Sequence, residues 1–148
     1  MAKPNGTACY HNDERLEDLM SAYDRYISQA RHISMPELFS TIVKMPARRF
    51  YVSEYRASIV IAQMLKGDSL ENMRPVKRRM FREIFRRYQA MQSLKPERSL
   101  AQIVSEIVYQ PAPEFYLSAQ SAKAYHYKIK KQWQQRKMRK LQLWQSPL

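Results

Sequence analysis

The sequence predicts an all-α fold, a small bundle of about five to six helices that contains an internal duplication. One observation behind this prediction is that apolar residues recur along the chain at the three- and four-residue spacing of amphipathic helices. Another is that Gly6 and Gly67 are the only two glycines among 148 residues, too few for a Gly-rich phosphate loop or a series of tight hairpins. The third observation is a pair of similar 24-residue segments.

The first helix is expected to follow a short leader. Residues 1–11 contain Pro4 and Gly6 and show no apolar period, so we expect them to be flexible. A helix is predicted from Asn12, because Asn12 or Asp13 can cap its first turn. We expect residues 12–142 to form a single helical domain and residues 143–148 to be a frayed tail. The apolar stripe of the first helix consists of Leu16, Leu19, Met20, Tyr23, Ile27 and Ala30.

Residues 34–57 and 99–122 align with each other without a gap. Ten of the 24 positions are identical, where unrelated sequences would share about one or two. Each copy is predicted to form a helix, a Pro-Ala turn, a short Phe-Tyr segment and a second helix capped by Ser53 or Ser118. We therefore predict a duplicated unit and a pseudo-twofold arrangement. The identical pairs are Ser34/Ser99, Ser40/Ser105, Ile42/Ile107, Val43/Val108, Pro46/Pro111, Ala47/Ala112, Phe50/Phe115, Tyr51/Tyr116, Ser53/Ser118 and Ala57/Ala122.

Local signals also bound the helices that follow each copy. In the first copy the second helix should end near Gly67, a residue suited to the C-terminal stop of a helix. Pro75 fits the first turn of another helix, which we expect to reach about Ser93. In the second copy the helix after Ser118 is longer and becomes densely basic. The retained Phe50, Tyr51, Phe115 and Tyr116 are predicted to pack inside the fold rather than to stack on bases.

The charge balance favours a polyanionic partner. There are 26 Lys and Arg residues against 13 Asp and Glu residues, a net charge of +13. Such a surplus on a small protein attracts nucleic acid, DNA or RNA, although a soluble basic protein without this function is the alternative. The single Cys9 cannot form an internal disulfide, and no apolar run is long enough to span a bilayer. We expect a cytoplasmic protein without membrane contact.

Three groups of basic residues are predicted to contact phosphates. At 100° per residue, the first group shares one sector of the helix from Pro75, and arginine suits this role because its planar fork donates paired hydrogen bonds to phosphate. The second lies in a terminal segment that has no acidic residue after Glu114. The third lies at the turn and capped helix of the first repeat, where the second repeat has Pro113, Glu114 and Ser121 instead. The groups are Arg78, Arg79, Arg82 and Arg86; Lys128, Lys130, Lys131, Arg136, Lys137, Arg139 and Lys140; and Arg48, Arg49 and Arg56.

The helix from Pro75 and the terminal segment also have structural alternatives. The arginines after Pro75 could pair with the acidic residues of the first helix and hold the fold together. These acidic residues are Asp13, Glu14, Glu17, Asp18 and Asp24. In the terminal segment Tyr125, Ile129 and Trp133 are spaced four apart, which predicts that they form its packed face.

No catalytic constellation can be assembled from the sequence. His11, His32 and His126 are scattered, and Cys9 with His11 lacks the spacing of a zinc site. We therefore expect no enzyme activity, no cofactor and no metal. The hypothesis is a non-catalytic protein that binds the phosphate backbone of nucleic acid, for example in a phage or mobile-element nucleoprotein complex. The alternative is a structural or adaptor subunit that assembles with itself or with an acidic protein partner through Met-rich faces.

Overall fold

Six helices make up the computed structural model, which describes the backbone of residues 6–145 and the side chains of residues 11–132 and 134–143. This confirms the predicted all-α class. Within the described residues, extended pairing is limited to one bridge, between Ala47 and Ala112. The helices are α1 (Gly6–Gln29), α2 (Met35–Ile42), α3 (Glu54–Leu65), α4 (Pro75–Leu94), α5 (Leu100–Val108) and α6 (Ala119–Gln145).

Both ends of the described chain are more helical than the sequence predicted. α1 begins at Gly6 rather than at the predicted Asn12, so residues 6–11 of the predicted leader are helical. No proline after Pro4 interrupts this stretch. Because α6 continues to Gln145, residues 143–145 are helical rather than frayed, and no glycine or proline interrupts the run before Pro147. Residues 1–5 and 146–148 of the predicted leader and tail lie outside the described residues.

The two segments that align in sequence adopt corresponding structures. Ser34 and Ser99 both precede the first helix of their segment, at α2 and α5. Ser53 Oγ accepts a hydrogen bond from the Arg56 amide at 3.0 Å. The aligned Ser118 Oγ accepts one from the amide of Ser121 at 3.1 Å. These equivalent caps start α3 and α6 at matched positions, which supports the predicted duplication.

The two segments also pair with each other through reciprocal backbone hydrogen bonds. Ala47 and Ala112 exchange two hydrogen bonds, since the backbone amide of each donates to the carbonyl of the other at 3.0 Å. The Phe50 amide donates to the carbonyl of Val108 at 3.0 Å, and its counterpart Phe115 donates to Val43 at 2.9 Å. The donors and acceptors of these bonds are equivalent residues of the two segments, 65 positions apart in the chain as Ser34 and Ser99 are. Such reciprocal bonds are what a local twofold axis between two copies requires.

The aromatic residues of the two turns follow the same reciprocity. The rings of Phe50 and Tyr116 lie 6.0 Å apart at 16°, and those of Tyr51 and Phe115 lie 6.4 Å apart at 11°. Phe50 and Phe115 are buried, while both tyrosines are partly exposed. These rings pack at the junction of the two segments, as the sequence predicted.

The helices pack in an exchanged manner. The second helix of the first segment, α3, packs against α5 and α4, while α6 packs against α2 and α1. The same 65-residue offset relates α1 to α4, where Asp18 aligns with Glu83 and Tyr23 with Tyr88. Leu19 is buried on α1, and the aligned Ile84 is buried on α4. The correspondence between the two halves of the chain therefore includes three helices each.

Candidate nucleic-acid interface

The terminal part of α6 carries basic residues that make no ion pair. None of its seven predicted cations has a carboxylate within 4.0 Å among the described residues, and all seven are exposed. Between the first two of these cations the helix is anchored by Ile129, which is 5% exposed and packs with Leu16 and Met20 of α1. We call the seven residues the α6 cations: Lys128, Lys130, Lys131, Arg136, Lys137, Arg139 and Lys140.

The α6 cations do not all point in the same direction. At 100° per residue, Arg136 and Lys140 share the side of α6 on which Ile129 packs against α1. Accordingly, Arg136 lines a shallow pocket with Asp13 and Glu17 of α1, although no ion pair forms. The other five point to the remaining sides of the helix, away from those carboxylates. These outward α6 cations are Lys128, Lys130, Lys131, Lys137 and Arg139.

The arginine stripe of α4 is partly neutralised. Arg79 Nη2 lies 2.8 Å from Glu114 Oε1, and Arg86 holds Glu83 with two nitrogens at 2.6 and 3.0 Å. These hydrogen bonds from Arg86 keep the pKa of the Glu83 carboxyl below its ordinary value. Arg78 is half-buried and Arg82 is exposed, and neither forms an ion pair with a described residue. The structure therefore leaves two of the four predicted stripe arginines uncompensated.

The predicted alternative for the α4 arginines, pairing with the acidic residues of the first helix, is wrong. Among the described residues no ion pair joins a carboxylate of α1 to an arginine of α4. Two carboxylates of α1, Asp18 and Glu14, instead contact residues of the first-repeat turn. Asp18 accepts a hydrogen bond from the Arg48 amide at 2.8 Å and from the Tyr51 hydroxyl at 2.6 Å. Burial, followed by this bond to Asp18, raises the pKa of Tyr51 above its ordinary value.

Arg87 connects α4 to the turn of the second repeat, a role that the sequence analysis did not predict. It contacts Glu83 at 3.1 Å and donates to the carbonyl of Pro111 at 3.0 Å. Its guanidinium also lies 4.8 Å from the centre of the Phe50 ring. Glu83 thus links the exposed Arg86 to an arginine that joins α4 to the turn of the second repeat.

The three first-repeat arginines, of which Arg49 is buried and Arg48 is exposed, lie in different environments. Arg49 is only 4% exposed, donates to the carbonyls of Phe50 and Val52, and lies 4.3 Å from the Tyr109 ring centre. This corrects the prediction that Arg49 contacts the ligand, because its guanidinium is held inside the protein and ion-pairs with Glu14 at 3.6 Å. The side chain of Arg48 remains 58% exposed, beside Asp18 at 3.6 Å.

Arg56 lies in a cleft together with cations that the sequence analysis did not single out. The cleft has a volume of about 510 Å³, and its lining includes Arg56, Arg15 of α1 and Lys77 of α4. Tyr51 and Tyr125 contribute rings to the same lining. We call it the cationic cleft. Trp133, predicted to pack with Tyr125 and Ile129, lies outside the described side chains.

Metal binding and membrane insertion find no support in the part of the chain that is described. No group of three His, Cys, Asp or Glu side chains there is arranged to hold a metal ion. None of the described helices combines the length and the apolar character needed to cross a bilayer.

Similarity to known proteins adds no information about function. Comparisons of the chain with protein-family models, with curated proteins and with solved structures find no match. The functional conclusion therefore depends on the positions and charges of the residues described above.

Proposed function

We propose that this protein is a non-catalytic nucleic-acid-binding protein that contacts mainly the phosphate backbone. The observation that carries the proposal is the set of outward α6 cations, which are exposed and have no carboxylate partner. Lys and Arg placed in this way release counterions when they meet phosphates, which supplies most of the affinity of sequence-tolerant binding. A cytoplasmic phage or mobile-element nucleoprotein complex is one setting for such a protein.

The distribution of the α6 cations favours nucleic acid over a membrane surface. A helix that lies in a membrane interface separates an apolar face from a basic one. In α6 the exposed Met138 and Leu141 fall on the same sides of the helix as Lys130 and Lys131, at 100° per residue. A basic helix of mixed faces can instead lie along a duplex groove or beside a folded RNA, where phosphates approach from more than one side.

Arg78 and Arg82 of α4 provide a second proposed contact. Since α4 packs on α3 and α5 while α6 packs on α1 and α2, the two basic surfaces belong to helices with different packing partners. A nucleic acid that reaches both surfaces must follow the outside of the bundle. The α6 cations are more numerous than these two arginines, so we assign them the larger share of the affinity.

The adaptor hypothesis has less support from the positions of the methionines. Met20 and Met80 are buried, and four further methionines pack on the core. Among the described residues, Met35 and Met138 are the strongly exposed ones, at 64% and 59%. A Met-rich contact face is therefore not formed there. The four core-packed methionines are Met45, Met64, Met73 and Met91.

The proposal is tested by titrating the protein, stripped of co-purifying nucleic acid, against labelled duplex DNA, single-stranded DNA and structured RNA. We expect tight binding at low salt to at least one of these ligands and a steep loss of affinity at physiological salt. The ligand with the highest affinity identifies the form of nucleic acid. Indifference to all three at low salt would refute the proposal and favour the adaptor hypothesis, which a pull-down with an acidic protein partner would then examine.

A further inference from the structure

The cationic cleft lies where four elements of the fold converge. Its lining comes from α1, from the segment that leads into α3, from the first turn of α4 and from the first turns of α6. A second pocket of about 170 Å³ shares Tyr51 and Val52 with the cleft and also reaches Phe81 and Phe115. The volume of the cleft itself, about 510 Å³, falls within the range of roughly 300–1,000 Å³ that small-molecule sites occupy.

The charge of the cleft is positive and is not compensated within it. Arg15, Arg56 and Lys77 line it, and none of the described lining residues is a carboxylate. Glu14 and Glu54 lie near its margin, where both act on His11 of the lining, and each also has a partner outside the cleft. Glu14 pairs with Arg49 at 3.6 Å, and Glu54 accepts a hydrogen bond from Tyr109 that raises the pKa of that phenol. Arg15, Arg56 and Lys77 therefore form no ion pair with a described residue.

Arg15 shows most clearly that the cleft is suited to an anion. Its Nη2 donates to the Tyr125 hydroxyl at 2.8 Å and to Asn12 Oδ1 at 3.1 Å, both neutral acceptors. The guanidinium also lies 4.8 Å from the centre of the Tyr125 ring. Its Nε is buried and donates to no described residue. A buried guanidinium donor without an acceptor is costly, and an anionic oxygen would relieve that cost.

The remaining lining adds hydroxyl groups and flat apolar surface. Ser53 and Ser121 stand at the starts of α3 and α6, where helix dipoles favour negative charge. Tyr51, Tyr125 and Leu117 provide ring and aliphatic surface beside the cations. This combination matches a phosphate group joined to a planar, partly apolar ring.

We propose that the cationic cleft binds a nucleoside phosphate, with the phosphate held by Arg15, Arg56 and Lys77 and the base against Tyr125 and Leu117. The ligand is a free mononucleotide or the 5′-phosphorylated end of a strand, which present the same chemistry. The strand-end form rests on the proposed function, whereas the free-nucleotide form does not.

The test uses full-length protein with AMP, adenosine and inorganic phosphate in calorimetry. It also uses single strands with either a 5′-phosphate or a 5′-hydroxyl in anisotropy. The cleft variant is Arg56→Gln/Lys77→Gln, at two exposed positions where substitution removes charge without disturbing the core. The matched control is Lys44→Gln/Lys66→Gln, which removes two exposed cations that have no ion pair and do not line the cleft.

We expect AMP to bind the wild type and to bind the cleft variant at least about tenfold more weakly, since each lost charged hydrogen bond weakens binding by about ten- to a hundredfold. The control should change AMP affinity less than about twofold, and adenosine and inorganic phosphate should both bind more weakly than AMP. A preference for 5′-phosphorylated strands identifies a strand end, and AMP binding without that preference identifies a free nucleotide. Both results support the cleft.

Absence of AMP binding at millimolar concentration together with no 5′-phosphate preference would overturn the proposal, as would equal losses in the cleft variant and the control. A variant with all five outward α6 cations changed to Gln separates this proposal from the proposed function. It should retain AMP binding while it loses affinity for long nucleic acids. Loss of AMP binding in that variant would contradict a separate site in the cleft.

Discussion

Replacing the five outward α6 cations with glutamine should reduce both the affinity for nucleic acid and its dependence on salt. If each cation neutralises one phosphate, the slope of log K against log salt becomes less steep by about 0.9 per cation on duplex DNA, or about 4.5 in total. At 0.1 M salt, one decade below a 1 M reference, this corresponds to a loss of about four and a half decades in the association constant. The substitutions are Lys128→Gln, Lys130→Gln, Lys131→Gln, Lys137→Gln and Arg139→Gln.

The assay is fluorescence anisotropy with a labelled 20-base-pair duplex, or with whichever nucleic acid binds best, over a series of salt concentrations. The control variant removes the same amount of charge at exposed cations that form no ion pair and lie outside the proposed contacts. We expect its slope to change by less than about 1, because long-range attraction is screened at these ionic strengths. Equal changes of slope in the two variants would refute a local contact at α6 and leave only the effect of net charge. The control substitutions are Arg25→Gln, Arg31→Gln, Lys44→Gln, Lys66→Gln and Lys95→Gln.

Three further predictions concern α4, Arg49 and His126. Arg82→Gln should make the slope of log K against log salt less steep by about 0.9. Arg86→Gln should change the slope by less, because Arg86 must first release Glu83 before it can bind phosphate. A larger effect of Arg86→Gln in the anisotropy assay would contradict the α4 contact. Arg49→Gln should lower the free energy of unfolding in urea by about 1–3 kcal/mol, since two buried carbonyls lose their donor, and an unchanged midpoint would show that these bonds contribute nothing. Burial, and to a lesser extent the charge of Lys130, lowers the pKa of His126 below its ordinary 6.5. As the pH falls, the unfolded state therefore binds the proton before the folded state does, and the free energy of unfolding should decrease below about pH 6.5. His126→Gln should reduce that fall between pH 7.5 and 5.5 in urea titrations, His11 contributing the rest, and an identical pH profile would exclude His126 as a source.

Helix boundaries set by local chemistry could be predicted from the sequence. Ser53 caps α3 and Pro75 starts α4. Gly67 lies just after the end of α3 with a φ of +100°, a conformation that glycine adopts without strain. The start of α1 was missed because the predicted cap at Asn12 is only one of the signals that begin a helix. A run of residues without a proline extends it to Gly6.

The roles of individual basic residues were harder to predict, because they depend on partners far away in the sequence. Arg15 meets Tyr125, which is 110 residues away, and no local pattern indicates that contact. Arg49 is buried by Glu14 and Tyr109, which come from α1 and the second repeat. Arg87 is different, since at 100° per residue it falls on the apolar side of α4, a signal that could have revealed its packing role.

The exchanged packing of α3 on α5 and of α6 on α2 has a consequence for synthesis on the ribosome. When the first three helices have emerged, the buried residues of α3, such as Val60 and Ile61, lack the helices α4 and α5 against which α3 packs. α2 can contact α1 early, but its packing against α6 must wait until α6 leaves the exit tunnel. The helices α1 to α3 therefore depend on α4 to α6 to complete their core, and the nascent polypeptide exposes apolar surface to chaperones and to neighbouring chains until α6 has been made.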